Sequence, residues 1–306
     1  MSRMSQNPRP AVRSGPTSDT HESEDLVTSS PPLSKRRLSR MLRESREAAG
    51  LTADQVTDRA REIGADRWSA SKITRLERDE WTRPKLEDIE TLLDIYGITS
   101  LAERDKYVRL AKEARQKRWW ASYADVIGHG ELTGLEPGAS RIRDVALAVI
   151  PGLLQTQAYA RAVIVGGGVV DDGEVDRRVE ARMLRQRILD PQADGPTYWC
   201  ILDEAALRKV PSDLREQQVR HIIDLQRPKL RVQVLPDSAG LHAAIGGGFT
   251  ILDFDADSEL VYTESAARQQ VLEDPEDIEA FTLVYQYVSA SAMGVQESVA
   301  FLEQLI

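Results

Sequence analysis

Apolar residues recur at helical spacing from about residue 35 onward. Leu38, Met41 and Leu42 fall on one face at spacings of three and four residues, the period of an amphipathic helix. Gly50 follows, and glycine commonly ends a helix in the left-handed conformation. The pattern predicts a first helix over about residues 35–49.

Two more helices are predicted from their end signals. Thr52 and Gln55 have the spacing of a capping box, so a second helix begins there and runs to about residue 63. Pro84 is a typical first residue of a helix, and Gly97 is a typical terminator. We predict that the fourth helix lies between them.

The third helix, predicted over residues 69–78, has a narrow apolar stripe. Ser69 is a suitable N-cap, and only Ile73 and Leu76 among the following residues are strongly apolar. Such a helix buries one edge and leaves the rest of its surface in solvent. Proteins that read the DNA major groove commonly use two short helices joined by a tight turn. The second of these helices is buried along one edge and presents its exposed polar face to the groove.

Beyond residue 120, helical and strand patterns are mixed. Apolar runs predict strands over 198–202, 230–235, 249–254 and 260–263, and helical spacing predicts helices over 179–189, 214–225 and 278–305. This mixture is typical of an α+β domain. The expected fold is a mostly α N-terminal helix-turn-helix domain of five helices, the last highly charged and over about 100–118, followed by an α+β C-terminal domain.

These patterns divide the chain into four segments. Residues 1–33 are rich in Pro, Ser and Thr and have little to bury, which predicts a disordered N-terminal tail. Residues 34–98 form the predicted helix-turn-helix DNA-binding domain, and residues 99–120 form a linker helix. Residues 121–306 form the α+β domain, to which we assign regulation or partner binding.

Charge is distributed unevenly between the two halves. The whole chain has a formal net charge of -9. Residues 34–118 nevertheless hold 21 Lys and Arg against 16 Asp and Glu, a net of +5, whereas residues 119–306 hold 16 against 29, a net of -13. Only the N-terminal module has the sign that attracts phosphates.

Composition disfavours several classes of protein. No run approaches the roughly eighteen apolar residues of a membrane span, and the first thirty residues contain no apolar signal core, so we expect a cytoplasmic protein. Cys200 is the only cysteine, which excludes an internal disulfide, and the four histidines are scattered. We expect neither a metal site nor a cofactor.

The exposed face of the third helix carries side chains that suit base recognition. Arginine binds guanine through two hydrogen bonds, serine and threonine bind several bases, and an alanine methyl contacts the thymine methyl. The residues of this face are Ala70, Ser71, Lys72, Thr74, Arg75 and Arg78. Taken alone, the pattern also fits a solvated helix of any helical bundle.

A longer stretch resembles the XRE-type helix-turn-helix of phage repressors. The matching segments are LRESREAAGLTADQVTDRA and WSASKITRLERDEWTRPKLEDIETLLDIYGI. They contain a Gly-Leu-Thr turn after the first helix and Arg-Pro before the fourth, in the family's order. The resemblance implies that Ala70, Ser71 and Arg75 face the bases of DNA.

The same resemblance implies further roles by position. Ala53, where the family often has glutamine, would lie near the DNA backbone, as would Lys72 and Thr74. Arg46 and Glu77 match a structural ion pair that the family forms between the first helix and the end of the recognition helix. The full set of predicted DNA-binding residues is Ser69, Ala70, Ser71, Lys72, Thr74, Arg75, Arg78, Ala53 and Gln55.

The C-terminal half is similar to that of WhiJ-like actinobacterial regulators. The matching motifs are WW at 119–120, GLE at 134–136, IPGLLQT at 150–156, YAR at 159–161, LDEAAL at 202–207, VLP at 234–236 and GFT at 248–250. With the first resemblance, this one covers nearly everything after residue 34. Members of that family are often encoded beside a small partner protein, and some are described as antitoxin-like. The resemblance therefore implies a small protein partner encoded nearby.

Several of these motifs also fit other kinds of site. Ser69 and Lys72 have the Ser-x-x-Lys spacing of penicillin-recognising enzymes, but Ser-Asp-Asn and Lys-Thr-Gly are missing from the chain, and we expect no enzyme. Trp119 and Trp120 suit packing at a domain junction better than base stacking. The IPGLLQT segment suits either the wall of an effector pocket or a turn that enters a helix.

Three classes of function remain open. The first, which we favour, is a homodimeric transcriptional regulator that binds two half-sites about one DNA turn apart. The second is an antitoxin-like protein that acts mainly through a protein partner and touches DNA to control its own operon. The third is an enzyme or small-molecule sensor housed in the C-terminal domain.

Overall fold

The N-terminal region is helical. The computed structural model describes residues 30–306 except 82, 117–118, 128–129, 256 and 266–267, so residues 1–29 of the predicted tail lie outside the described residues. The helices of this region are α1 Pro31–Ala48, α2 Ala53–Glu62, α3 Ala70–Glu77, α4 Leu86–Ile95 and α5 Leu101–Glu113. The five predicted helices are therefore confirmed.

These five helices share one hydrophobic core. Each contributes the apolar stripe that its sequence pattern predicts, and Leu38, Leu42, Val56, Ile73 and Leu92 are fully buried where the stripes meet. Burial of such side chains contributes roughly 1.5 to 3 kcal/mol each. The core thus holds α3 by one edge against α1 and α2.

Helix α1 begins earlier than predicted. Residues 31–33, which composition assigns to the tail, form its first turn. Proline is tolerated there because the N–H groups of the first turn have no acceptor within the helix, so its lack of an N–H costs no hydrogen bond. Leu33 is buried in the core of the C-terminal domain, against Gly138, where a β-carbon would collide with it. Composition could not reveal this partner surface because it comes from a distant part of the chain.

The C-terminal region is an α+β structure, as expected. Its strands are β1 Arg141–Ala146, β2 Thr197–Asp203, β3 Leu230–Leu235, β4 Phe249–Asp253, β5 Leu260–Glu264 and β6 Gln269–Leu272. Its helices are α6 Ala124–Ile127, α7 Glu131–Leu135, α8 Gln157–Gly166, α9 Asp172–Arg185, α10 Glu204–Arg208, α11 Ser212–Leu225, α12 Pro275–Ser291 and α13 Val295–Glu303. The predicted single helix over 278–305 is interrupted at 292–294, between α12 and α13.

The six strands form one mixed sheet in the order β3-β2-β1-β4-β5-β6. β1, β2 and β3 run parallel to one another, whereas the pairs β1–β4, β4–β5 and β5–β6 are antiparallel. Both faces are covered: Ile142 and Leu202 lie in one core, and Val145 and Ile201 lie in another that includes Val288 of α12. Parallel strands buried on both faces are typical of such sheets.

Helix α1 also connects the two regions by polar contacts. Arg37 and Arg40 both bind the carboxylate of Asp257, and Arg36 pairs with Glu273. Ser30 Oγ donates to the Gly134 carbonyl oxygen over 2.6 Å. Residues 30–40 therefore contact the C-terminal domain, while Leu38 and Leu42 of the same helix lie in the helical core.

A membrane span is not found among the described residues. None of their helices combines the length and the apolar character that crossing a bilayer requires.

Candidate DNA-binding surface

Helix α3 is held by its buried edge and capped at its start. Ile73 is completely buried and Leu76 is 8% exposed. Ser69 Oγ accepts a hydrogen bond from the Lys72 N–H over 3.3 Å, which satisfies one of the free amides of the first turn. Ser71 and Arg75 lie on the opposite side and are exposed in the complete chain.

The end of α3 is fixed by a tight turn. The Glu80 N–H donates to the Arg75 carbonyl oxygen over 2.8 Å, with Asp79 at φ 63° between them, the geometry of a Schellman motif. Trp81 Nε1 donates to the Leu76 carbonyl oxygen and to Ser39 Oγ of α1, over 3.1 and 2.9 Å. These bonds attach the last turn of α3 to α1.

Arg46 and Glu77 form a nearly buried ion pair. Arg46 Nε and Nη2 donate to the two carboxylate oxygens of Glu77 over 2.7 and 2.9 Å, and Nη1 donates to the Leu51 carbonyl oxygen over 2.8 Å. Their side chains are 15% and 7% exposed. The hydrogen bonding that Arg46 donates to Glu77 outweighs the effect of burial and raises the pKa of Arg46. The pair connects the end of α1 to the end of α3.

The predicted DNA-binding residues fall into two groups by exposure. The exposed residues are Gln55, Ser69, Ser71, Arg75 and Arg78, and the half-buried ones are Ala53, Ala70, Lys72 and Thr74. In the part of the chain that the structure describes, neither Arg75 nor Arg78 is held in an ion pair. These two guanidinium groups are therefore available to an anionic or base partner.

Lys72 is engaged within the domain. Its Nζ lies 3.0 Å from Asp88 Oδ2 and 4.2 Å from the centre of the Trp68 ring. Arg67 Nε contacts the other Asp88 oxygen over 2.6 Å. A contact from Lys72 to a DNA phosphate would have to compete with this ion pair, a constraint that the sequence pattern did not show.

Two other polar residues of the predicted set also form hydrogen bonds within the domain. Thr74 Oγ1 donates to the Ala70 carbonyl oxygen over 2.9 Å, within its own helix. Gln55 Oε1 accepts from the Thr52 N–H over 2.8 Å, and Thr52 Oγ1 accepts from the Gln55 N–H over 3.2 Å. The capping box occupies one end of the Gln55 amide and leaves its NH2 group for another acceptor.

Two exposed cations were missed by sequence reasoning. Arg83 and Lys85 stand on either side of buried Pro84, immediately before α4. The Arg-Pro motif predicts the start of a helix, and the positive charge beside it is the signal that could have identified these residues. Exposed cations of a helix-turn-helix domain are suited to contact DNA phosphates.

The arrangement is that of a helix-turn-helix protein with an α+β C-terminal domain. Residues 37–106 match the family described as a helix-turn-helix domain, which indicates DNA binding. Residues 130–304, over half of the chain, match the family described as a domain of unknown function (DUF5753), and the chain belongs to that family. No curated protein and no solved structure matches the chain.

Proposed function

We propose that the protein is a sequence-specific transcriptional regulator that inserts α3 into the DNA major groove. One observation carries this proposal: Ser71 and Arg75 extend into solvent from a short helix whose buried edge consists of Ile73 and Leu76. A helix attached by one edge is narrow enough for the groove. Arg75 would bind a guanine, and Ser71 would contact a neighbouring base.

Charge and domain docking support the same function. The contacts of α1 with Asp257 and Glu273 leave Ser71, Arg75 and Arg78 exposed in the full chain. Cations on this side of the domain would bind phosphates and position α3 along the duplex. Affinity should then fall steeply as salt rises, because bound counterions are released.

Family resemblance supports finer features that we propose with it. We expect an XRE-type regulator that works in the cytoplasm as a homodimer on two half-sites about one turn apart. The WhiJ-like resemblance favours a small protein partner, encoded nearby, that docks on the C-terminal domain in an antitoxin-like manner. We assign no catalytic reaction to the chain.

Selection from random duplexes with the purified full chain tests the function. We expect a single enriched motif. Arg75→Ala should cost roughly 1 to 3 kcal/mol on the selected duplex and relax preference at one base pair. The matched control is Arg61→Ala, because Arg61 is exposed near the C-terminal end of α2 and, among the described residues, forms an ion pair with Asp58 alone. This change should leave the motif and the affinity unchanged.

Two results would contradict the proposal. One is that no duplex is enriched at modest salt. The other is that Arg75→Ala weakens selected and random DNA by the same factor, which would leave only a nonspecific charge effect at that position.

A further inference from the structure

A cavity of about 710 Å³ opens in the C-terminal domain, away from α3. Its described walls come from residues 119, 126–127 and 130–133, from helix α9, and from residues 262, 264–265 and 268–269 of β5, β6 and the segment between them. Cavities of this size commonly hold small organic ligands. The side chains of α9 that line it give it an unusual charge.

Helix α9 presents three arginines to the cavity. Arg178, Arg182 and Arg185 follow one another at spacings of four and three residues, so they share one helix face. Arg185 is neutralised by two hydrogen bonds to the buried carboxylate of Glu136, over 2.7 and 2.6 Å. Arg178 pairs with Glu174 over 2.7 Å.

Arg182 has no such partner. Its Nη1 donates to the neutral Gln155 Oε1 over 2.9 Å, and no Asp or Glu of the described residues forms an ion pair with it. Burial, with the neighbouring Arg185 charge, lowers the pKa of Arg182 to about 10. The guanidinium therefore stays charged at neutral pH in a place that disfavours charge, and an incoming anion would remove this penalty.

The rest of the wall fits a ligand that is partly apolar. Trp119, Val126 and Ile127 line the cavity, and the Trp119 indole N–H is buried with no acceptor among the described residues. A buried donor without an acceptor costs free energy that a ligand oxygen can recover. The same wall thus offers an aromatic surface and a hydrogen-bond donor.

The carboxylates at the cavity lie on its exposed side. Glu131 and Glu264 line it and are solvent-exposed, and Gln269 Nε2 donates to Glu264 Oε1 over 3.1 Å. Arg268 on the same side is exposed too. Solvent screens these outer charges more than it screens the half-buried Arg182, which leaves Arg182 as the principal anion-binding group.

We propose that this cavity binds a small organic anion, with its phosphate or carboxylate group on Arg182 and its apolar part against Trp119. Arginine suits this role because its planar fork binds both oxyanions through two hydrogen bonds. The cavity is separate from the DNA-binding surface, so this inference holds or fails independently of the proposed function.

Melting of the full chain with matched probes tests the site. The probes are phenyl phosphate, benzoate and benzyl alcohol, which share a ring and differ in charge, with inorganic phosphate as a fourth. At millimolar concentration we expect at least one ring-bearing anion to raise the melting temperature saturably, more than inorganic phosphate does, and benzyl alcohol to leave it unchanged. The proposal allows either a phosphate or a carboxylate ligand, and comparison of phenyl phosphate with benzoate shows which group the cavity binds more tightly.

Arg182→Gln should weaken binding of that probe about tenfold to a hundredfold, the worth of hydrogen bonds to a charged group. Arg182→Lys keeps the charge but loses the planar guanidinium fork, so its affinity for the probe should lie between those of wild type and Arg182→Gln. Arg220→Gln is the matched control, because Arg220 is an exposed residue of α11 whose one ion pair within the described part of the chain is with Glu216. Without a probe, Arg182→Gln should melt at or above the wild-type temperature, since it removes an unpaired charge.

The following results would overturn the inference. No anion stabilises the wild type, benzyl alcohol acts as strongly as the anions, or the anions act equally on wild type and Arg182→Gln. A lowered melting temperature of Arg182→Gln without probe, together with unchanged anion binding, would make Arg182 a structural residue.

Discussion

At the scale of single residues, Arg46 and Glu77 decide how firmly α3 is held. Their bidentate contact joins the end of α1 to the end of α3, and both side chains are largely removed from water. Loss of one partner leaves the other charge without compensation in a place of low polarity. We therefore predict a structural role for this pair.

Glu77→Ala should reduce the free energy of unfolding of the helical domain by roughly 3 to 5 kcal/mol, toward the lower value because Arg46 keeps its bond to Leu51. The matched control is Glu47→Ala, since Glu47 also pairs with Arg46, at 3.5 Å, but is 58% exposed. It should cost less than about 1 kcal/mol. Denaturant unfolding measures both, and altered DNA preference with unchanged stability would refute the structural role.

Asp144 is a second residue with a measurable consequence. It accepts hydrogen bonds from the Tyr198 and Thr250 hydroxyls over 2.8 and 3.2 Å. Burial nevertheless raises its pKa to about 6, whereas an unfolded aspartate titrates near 3.9. Between these values the folded protein binds more protons than the unfolded chain, so this contribution to stability falls as pH rises from about 4 to 6.

Asp144→Asn should remove that pH dependence, because an amide does not titrate. The stability of the variant relative to wild type should rise between pH about 4 and 6, by at most about 3 kcal/mol. Denaturant unfolding of both proteins over a pH series measures the difference. A difference that stays constant across the series would contradict the raised pKa.

At the scale of elements, the turn between α2 and α3 depends on its glycine. Gly64 has φ 76°, a left-handed conformation that costs residues with a β-carbon roughly 1 to 2 kcal/mol. No atom lies within 4 Å of a β-carbon added there, so the cost of substitution is one of backbone conformation and not of collision.

Gly64→Ala should therefore lower the free energy of unfolding by about 1 to 2 kcal/mol, and Gly64→Asn should lower it by less because asparagine tolerates this conformation. Thermal melts followed by circular dichroism rank the three proteins. Equal melting temperatures for all of them would show that the turn does not hold this conformation in solution.

Elements with regular apolar patterns could be predicted from sequence, and elements that depend on distant partners could not. The helices of the N-terminal domain and the strands β2 to β5 carry their own periodicity. β1 lies in the centre of the sheet but contains Arg141 and Arg143, which are compensated by Asp253 of β4. Only the folded register brings that carboxylate close, so no local pattern in the sequence indicates a central strand there.

The candidate DNA-binding surface likewise has features that the local sequence predicts and others that depend on distant parts of the chain. The exposed face with Ser71 and Arg75 followed from the spacing of two apolar residues. The engagement of Lys72 by Asp88 required the packing of α3 beside α4. The cavity around Arg182 combines three separate parts of the chain, and no single motif indicates it.

At the scale of the whole molecule, α1 fixes the position of the helical domain on the C-terminal domain. Asp257, whose side chain is 6% exposed, holds both Arg37 and Arg40. Hydrogen bonds to charged groups contribute roughly 1.5 to 3 kcal/mol. Two arginines on one carboxylate therefore form the main polar contact between α1 and the sheet domain.

Asp257→Asn should speed amide hydrogen exchange in the first half of α1 and leave exchange in the sheet unchanged, because the interface opens while the C-terminal core stays intact. The matched control is Glu44→Gln, since Glu44 pairs with Arg40 at 3.8 Å on the exposed side. Identical exchange in both variants would mean that Asp257 does not hold the domains together.

Methylation interference on the selected duplex tests most directly whether α3 reads the major groove. A methyl group on guanine N7 blocks the edge that arginine would bind. For wild type, we predict that methylation of one guanine in each half-site abolishes binding, and that this interference disappears for Arg75→Ala while the remaining pattern stays. The same interference pattern for both proteins, or interference at minor-groove positions alone, would contradict the insertion of α3.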